Sequence, residues 1–285
     1  DPEARPAIDE RTFIHHRTRL HFEEVAMLGL QRAPMYGDRW RDVLTLERRL
    51  LRAIDAIVSM GPEAVQCLEP LVFDAPAKDA TRVFALAMIA GCVRGRDALA
   101  AAERVFLDFD KADPLAADAF GDALKLVPHD QLLVTLNTLL GADDPRHRAL
   151  AIDVLAYRGL ASVDQLVAAA SDAGPVVAKA LPYLALTEPG RCGPLIDRAL
   201  ADPTVERAAV WLAMTLSGHR AARSVLSQAV SGVTGPERDR AALLLALGGD
   251  RDDGALLQAQ IDRAPSVGLI DAVGWVGDPG AFDLL

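Results

Sequence analysis

The chain is poor in the residues that build sheets, covalent cross-links and nucleic-acid surfaces. Aromatic residues make up 5% of its 285 positions, lysine occurs four times and cysteine three times. Few aromatics, with comparatively sparse β-branched residues, argue against a sheet core. Cys67, Cys92 and Cys192 are an odd number, lie far apart and form no CxxC pair, which excludes a disulfide framework and a thiolate metal knuckle. They are expected to be free, buried thiols in a reducing compartment, and the cytoplasm is the expected location. No apolar run approaches about 18 residues without a charge or helix breaker, so no membrane insertion is expected. Nor is there a surplus of positive charge: 30 Lys and Arg stand against 40 Asp and Glu, a net charge of −10. That field repels phosphate polymers and anionic lipid, and nucleic acid is not expected as a ligand.

Alanine and leucine are abundant instead, at 50 and 41 residues. They are the two strongest apolar helix formers, and an all-α fold follows. A single core stops growing near ~250–300 residues, whereas stacked helical repeats extend without that limit because each unit packs only on its neighbours.

A proline recurs at Asp113-Pro114, Asp144-Pro145, Gly174-Pro175, Asp202-Pro203, Gly235-Pro236 and Ala264-Pro265, in steps of 31, 30, 28, 33 and 29 residues. Proline suits the first helical position, where its missing N–H would be unpaired anyway, and a preceding Asp can accept from the first turn. Each pair is therefore expected to start a helix. Five residues on stand Ala119, Leu150, Ala180, Ala208, Ala241 and Ile270; nine on stand Ala123, Val154, Leu184, Leu212, Leu245 and Gly274. These share one helical face and should form the core. Breakers follow at Pro128, Gly159, Pro189-Gly190, Gly218 and Gly248-Gly249, then second apolar stretches at 131–140, 163–170, 194–200, 221–230 and 255–261. Segments 80–93 with 97–109, and 43–59 with 63–73, fit the same plan without the proline. The expected architecture is an α-solenoid, an α-α superhelix of about seven helical hairpins over residues 43–285. Residues 1–42, with a charged helix over 9–30, a Pro/Gly loop over 33–38 and the aromatics Phe13, Phe22, Tyr36 and Trp40, form an N-terminal cap. The apolar Phe282, Leu284 and Leu285 fall in mid-helix, so the native protein is expected to continue.

Segments such as Asp202-Pro203-Thr204-Val205-Glu206-Arg207-Ala208-Ala209 and Gly277-Asp278-Pro279-Gly280-Ala281-Phe282 resemble the short bacterial form of the HEAT repeat. In such repeats Lys179, Arg207 and Arg240, four residues after a proline, would form a charge ladder with the boundary aspartates. Near the N-terminus, Phe22-Glu23-Glu24-Val25-Ala26-Met27-Leu28 with Leu46-Glu47-Arg48-Arg49-Leu50 and Ile54-Asp55-Ala56-Ile57 resembles a family of bacterial HEAT-repeat proteins encoded beside type VI secretion spike genes. That resemblance implies a cytoplasmic accessory or adaptor and supplies no functional residues.

Catalytic equipment is missing from the sequence. HEAT-type iron hydroxylases hold metal with His-Glu dipeptides, and none occurs here. His15, His16 and His21, beside Glu23 and Glu24, lack the three- or four-residue spacing that puts ligands on one helix face. His129, His147 and His219 fall at turns or helix starts and are expected to be solvated. Asp250-Arg251-Asp252-Asp253-Gly254 and Asp108-Phe109-Asp110-Lys111-Ala112-Asp113 miss the glycine or glutamate of a calcium loop. No phosphate-cradling glycine loop or GxSxG elbow appears. The acidic balance speaks against HEAT-like alkyl-base glycosylases, and resemblance to bilin lyases is confined to the repeat.

Charge is distributed unevenly. Residues 97–144 hold ten acids against Arg104, Lys111 and Lys125, a balance of −7. A concentrated acidic sector would steer a basic partner surface, and Asp108, Asp110, Asp118 and Asp122 are the candidate protein-binding residues. The sequence predicts a non-catalytic protein-binding scaffold or adaptor without cofactor, recognising its partner on a concave face of second helices. The alternative is an enzyme or ligand-transfer protein of HEAT type, lyase-like or metal-dependent, with its site in that groove.

Overall fold

The structure, a computed structural model, describes residues 9–32, 39–75, 79–110, 115–248, 250 and 252–276, the side chains of Trp40, Arg96 and Asp110 excepted. Among these residues all regular structure is helical. The α-helices in chain order are α1 (Glu10–Gln31), α2 (Trp40–Ser59), α3 (Pro62–Gln66), α4 (Leu68–Phe73), α5 (Ala80–Ala90), α6 (Arg96–Asp110), α7 (Leu115–Leu124), α8 (Leu132–Leu140), α9 (Pro145–Tyr157), α10 (Val163–Ala169), α11 (Gly174–Thr187), α12 (Gly193–Ala201), α13 (Arg207–Ser217), α14 (Ala222–Gly232), α15 (Gly235–Leu247), α16 (Asp253–Arg263) and α17 (Val267–Val276). They gather into two compact units, Asp1–Ala142 and Asp143–Leu285.

In the N-terminal unit α1 packs on α2, α3, α4 and α5, α5 on α7, and α6 on α8. Its core is built on Phe22, Leu28, Ile54, Leu68, Phe106 and Phe120, all essentially without solvent exposure. In the C-terminal unit each first helix packs on the next, α9 on α11, α11 on α13, α13 on α15 and α15 on α17. The second helices α10, α12 and α14 each also pack on the first helix that follows them. Apolar side chains of both layers, including Leu181, Ile196, Trp211, Met214, Leu226, Leu245 and Leu257, fill the space between.

The breakers end their helices as expected. Gly159 and Gly218 take left-handed φ values of 67° and 64° just beyond α9 and α13, a conformation that costs glycine no Cβ clash. The proline boundaries divide. Pro145 opens α9 and the Asp144 carboxylate accepts the Arg146 N–H at 2.8 Å; the side-chain bond from Arg146 holds the Asp144 pKa below its ordinary value. Asp202-Pro203 does not start a helix. The Asp202 carboxylate accepts from the N–H and hydroxyl of Thr204, at 2.8 and 2.7 Å, and α13 begins only at Arg207. Likewise α17 begins at Val267, two residues past Pro265. Asp113-Pro114 lies outside the described residues. On α13 Val210, Trp211, Ala213 and Met214 enter the core; of the positions expected on the shared buried face, Ala119, Ala208, Leu212 and Ile270 are only half-buried and Gly274 is exposed.

Charged and polar groups fasten successive hairpins, with partners the sequence did not suggest. Lys179 pairs with Asp153 at 3.8 Å, Arg240 with Glu206 at 3.6 Å and Arg207 with Glu237 at 3.8 Å, so the ladder joins neighbouring first helices rather than using the boundary aspartates. Arg148 makes a two-pronged bond to Asp172, at 2.9 and 2.8 Å, which depresses the Asp172 pKa. Arg198 donates to the Ala170 carbonyl at the end of α10, 2.8 Å away. His129 and His219, expected in solvent, have side chains only 2% and 8% exposed. In each, Nδ1 accepts the N–H two residues on, of Gln131 at 3.0 Å and Ala221 at 3.4 Å. That places the proton on Nε2, which faces the Gly95 carbonyl at 3.0 Å or the Asp197 carboxylate at 3.4 Å in the preceding hairpin.

Backbones also approach closely where a hairpin meets the next. A Cβ on Gly174 would fall well inside contact distance of the Thr204 carbonyl oxygen, a backbone atom with little room to retreat. Gly174→Ala should therefore destabilise the C-terminal unit by about 1–3 kcal/mol through overpacking. Urea unfolding checks this, and an unchanged midpoint would show that the contact can relax.

Candidate functional site

The candidate acidic residues lie in the N-terminal unit. Asp118 and Asp122 stand one turn apart on the exposed face of α7, and Asp122 meets Lys125 at 3.2 Å. Asp108 is exposed on α6, and the Asp110 side chain lies outside the described residues. Asp97 on α6 and Asp130, at the turn before α8, are exposed on the same unit. Glu103 turns inward, where burial raises its pKa against a hydrogen bond from Thr135 and the charge of Arg104. The carboxylates Asp97, Asp108, Asp118, Asp122 and Asp130 are thus accessible to a partner from solvent.

A cleft of about 780 Å³ opens in the same unit. It lies between α6 and the pair α3 and α4, which meet at Cys67 between Pro62 and Pro70. Leu68, Leu86, Ala90, Val93, Ala101 and Val105 wall it, and Arg94, Arg104, Asp97 and Glu69 stand among its lining residues. Cys92 also lines the cleft; burial, then the Asp55 charge, pushes its thiol pKa up, so it stays an uncharged, weak nucleophile. Cys192 is buried as expected, whereas Cys67 and Cys92 are only half-buried.

A second groove, about 450 Å³, crosses the first helices of the C-terminal unit. Ala178, Pro182 and Leu186 of α11 face Ala209, Leu212 and Leu216 of α13 across it, and Asp153, Lys179, Glu206 and Arg240 form its charged end. The repeat pattern predicts a recognition face on second helices; this unit places its groove on the first ones. The sequence carries one overlooked signal, a large apolar residue near the end of α9, α11, α13 and α15: Tyr157, Leu186, Leu216 and Leu247.

Among the described residues no group of three or more His, Cys, Asp or Glu side chains is arranged to hold a metal ion, and no helix is long and apolar enough to cross a membrane. His15 approaches Glu63 at 3.9 Å and His21 approaches Glu24 at 3.6 Å, separate pairs that do not converge. Comparison with known proteins leaves the reading on this geometry: no family model, no curated protein and no solved structure matches the chain.

Proposed function

We propose that the chain is an α-solenoid of HEAT-like hairpins and works as a non-catalytic protein-binding scaffold, with a basic surface on its partner. The observation that carries this reading is the packing of α9, α11, α13, α15 and α17 each on the next, with the second helices bridging neighbours. That order builds extended recognition surfaces rather than one enclosed site. The exposed carboxylates of α6 and α7 supply the preference for positive charge. A role as a cytoplasmic adaptor for secretion-spike components rests on the N-terminal resemblance. The cleft beside Cys92 favours the second reading, a ligand-carrying protein, because its volume falls within the ~300–1,000 Å³ of small-molecule sites and its walls are mainly apolar.

The test begins with affinity capture from native lysate and identification of the bound protein. Replacing Asp108, Asp110, Asp118 and Asp122 by Asn should slow its association and leave dissociation nearly unchanged, because long-range charge acts on encounter. The difference should vanish as the Debye length falls from ~10 Å at 0.1 M salt to ~3 Å at 1 M. Equal association rates at low salt would return these aspartates to a solvated surface.

A further inference from the structure

We propose that the first-helix face of the C-terminal unit, from Tyr157 on α9 to Leu247 on α15, is a self-association surface whose occupant is the same face of a second copy in antiparallel register. Tyr157, Leu186, Leu216 and Leu247 are 55%, 62%, 39% and 57% exposed, one large apolar side chain near the end of four successive first helices. Exposed apolar residues scattered singly are ordinary, but these recur once per hairpin on helices that pack side by side, and Leu186 and Leu216 line one groove. A row with that period is matched by another row with the same period, which a second copy supplies by construction. Under a two-fold axis the same patch serves both partners.

Charge complementarity points the same way. The chain carries −10 overall, so most approaches between two copies are repelled. Along this groove Asp153 and Glu206 are balanced by Lys179 and Arg240, in pairs separated by 3.8 and 3.6 Å. The Arg240–Glu206 pair is exposed at both ends and contributes little within one chain, so it can exchange partners with a neighbouring copy at small cost. The acidic sector of the other unit lacks that balance. None of these residues belongs to the acidic set of the proposed partner site, and the surface stands or falls independently of that set.

Sedimentation velocity of the purified chain, over a concentration series reaching ~1 mM and at low and high salt, tests the assignment. The expected result is a dimer that grows with concentration and is held or strengthened by salt, because screening removes net repulsion and leaves apolar contacts intact. Leu186→Glu with Leu247→Glu should weaken it at least about a hundredfold by burying carboxylates that have no counter-charge. Both positions are exposed, so helix content should be unchanged by circular dichroism. Leu133→Glu, on the exposed face of α8 in the other unit, should leave the dimer as it was. A wild-type chain that stays monomeric throughout overturns the proposal. So does a dimer that survives the double variant, or one that Leu133→Glu abolishes.

Discussion

Replacing Arg82 by alanine is expected to lower the stability of the N-terminal unit by about 3 kcal/mol, most of it from carbonyl groups left without a donor. Arg82 stands in the first turn of α5, and its side chain is only 9% exposed. One guanidinium nitrogen donates to the Leu71 carbonyl and to the Asp74 carbonyl at 3.3 Å, groups at the end of α4 that have no helical partner of their own. The other reaches Glu23 on α1 at 2.5 Å, and the guanidinium lies 6.0 Å from the Phe22 ring. One side chain therefore ties α1, α4 and α5 together. Because the Glu23 side chain is 43% exposed, water screens that pair and its own share is small. Glu23→Gln should accordingly cost under about 1 kcal/mol, while Arg82→Met, which keeps bulk and loses every donor, should cost nearly as much as alanine. Urea unfolding of the three variants separates the contributions. A Glu23→Gln loss equal to that of Arg82→Met would mean that the ion pair, not the carbonyl bonding, dominates.

Much of the helix plan was legible because its signals are local. Asp9 begins a helix and accepts the Thr12 N–H at 3.4 Å, in keeping with the charged segment over 9–30. Ser162 and Gln165 form a reciprocal cap at the start of α10, and Gly159 and Gly218 stop their helices within a residue or two. What failed depended on groups distant in sequence or on distinctions the local pattern does not carry. Pro145 and Pro203 each follow an Asp that accepts the N–H two residues on, yet only Pro145 opens a helix, and Leu212 ends half-buried against the core. Buried His129 and His219 could not be told from solvated turn histidines, since their burial comes from the preceding hairpin. The candidate acidic residues were visible as a run of charge; the apolar row on α9, α11, α13 and α15 was hidden because leucine at a helix end reads equally as core.

Phe106→Ala should be the most damaging single truncation in the N-terminal unit, at about 3–5 kcal/mol. Phe106 on α6 and Phe120 on α7 are both fully buried and stack with ring centroids 4.4 Å apart and planes 6° from parallel. Truncation removes the transferred surface of the ring and leaves a cavity that the packed neighbours can fill only in part. The stack adds about 0.5–1.5 kcal/mol beyond burial, so a double-mutant cycle with Phe120→Ala should show coupling of that size. Phe109 lies one turn further along α6 and faces Phe73, a ring that is 50% exposed, at 5.9 Å. Phe109→Ala should therefore cost less, because the site can relax towards solvent. If stability in a hairpin stack resides in nearest-neighbour contacts, faster amide exchange should extend from α6 and α7 to α5 and α8. Exchange that quickens in α6 and α7 alone would show that these hairpins are energetically independent, and the solenoid reading would lose its physical basis in this unit.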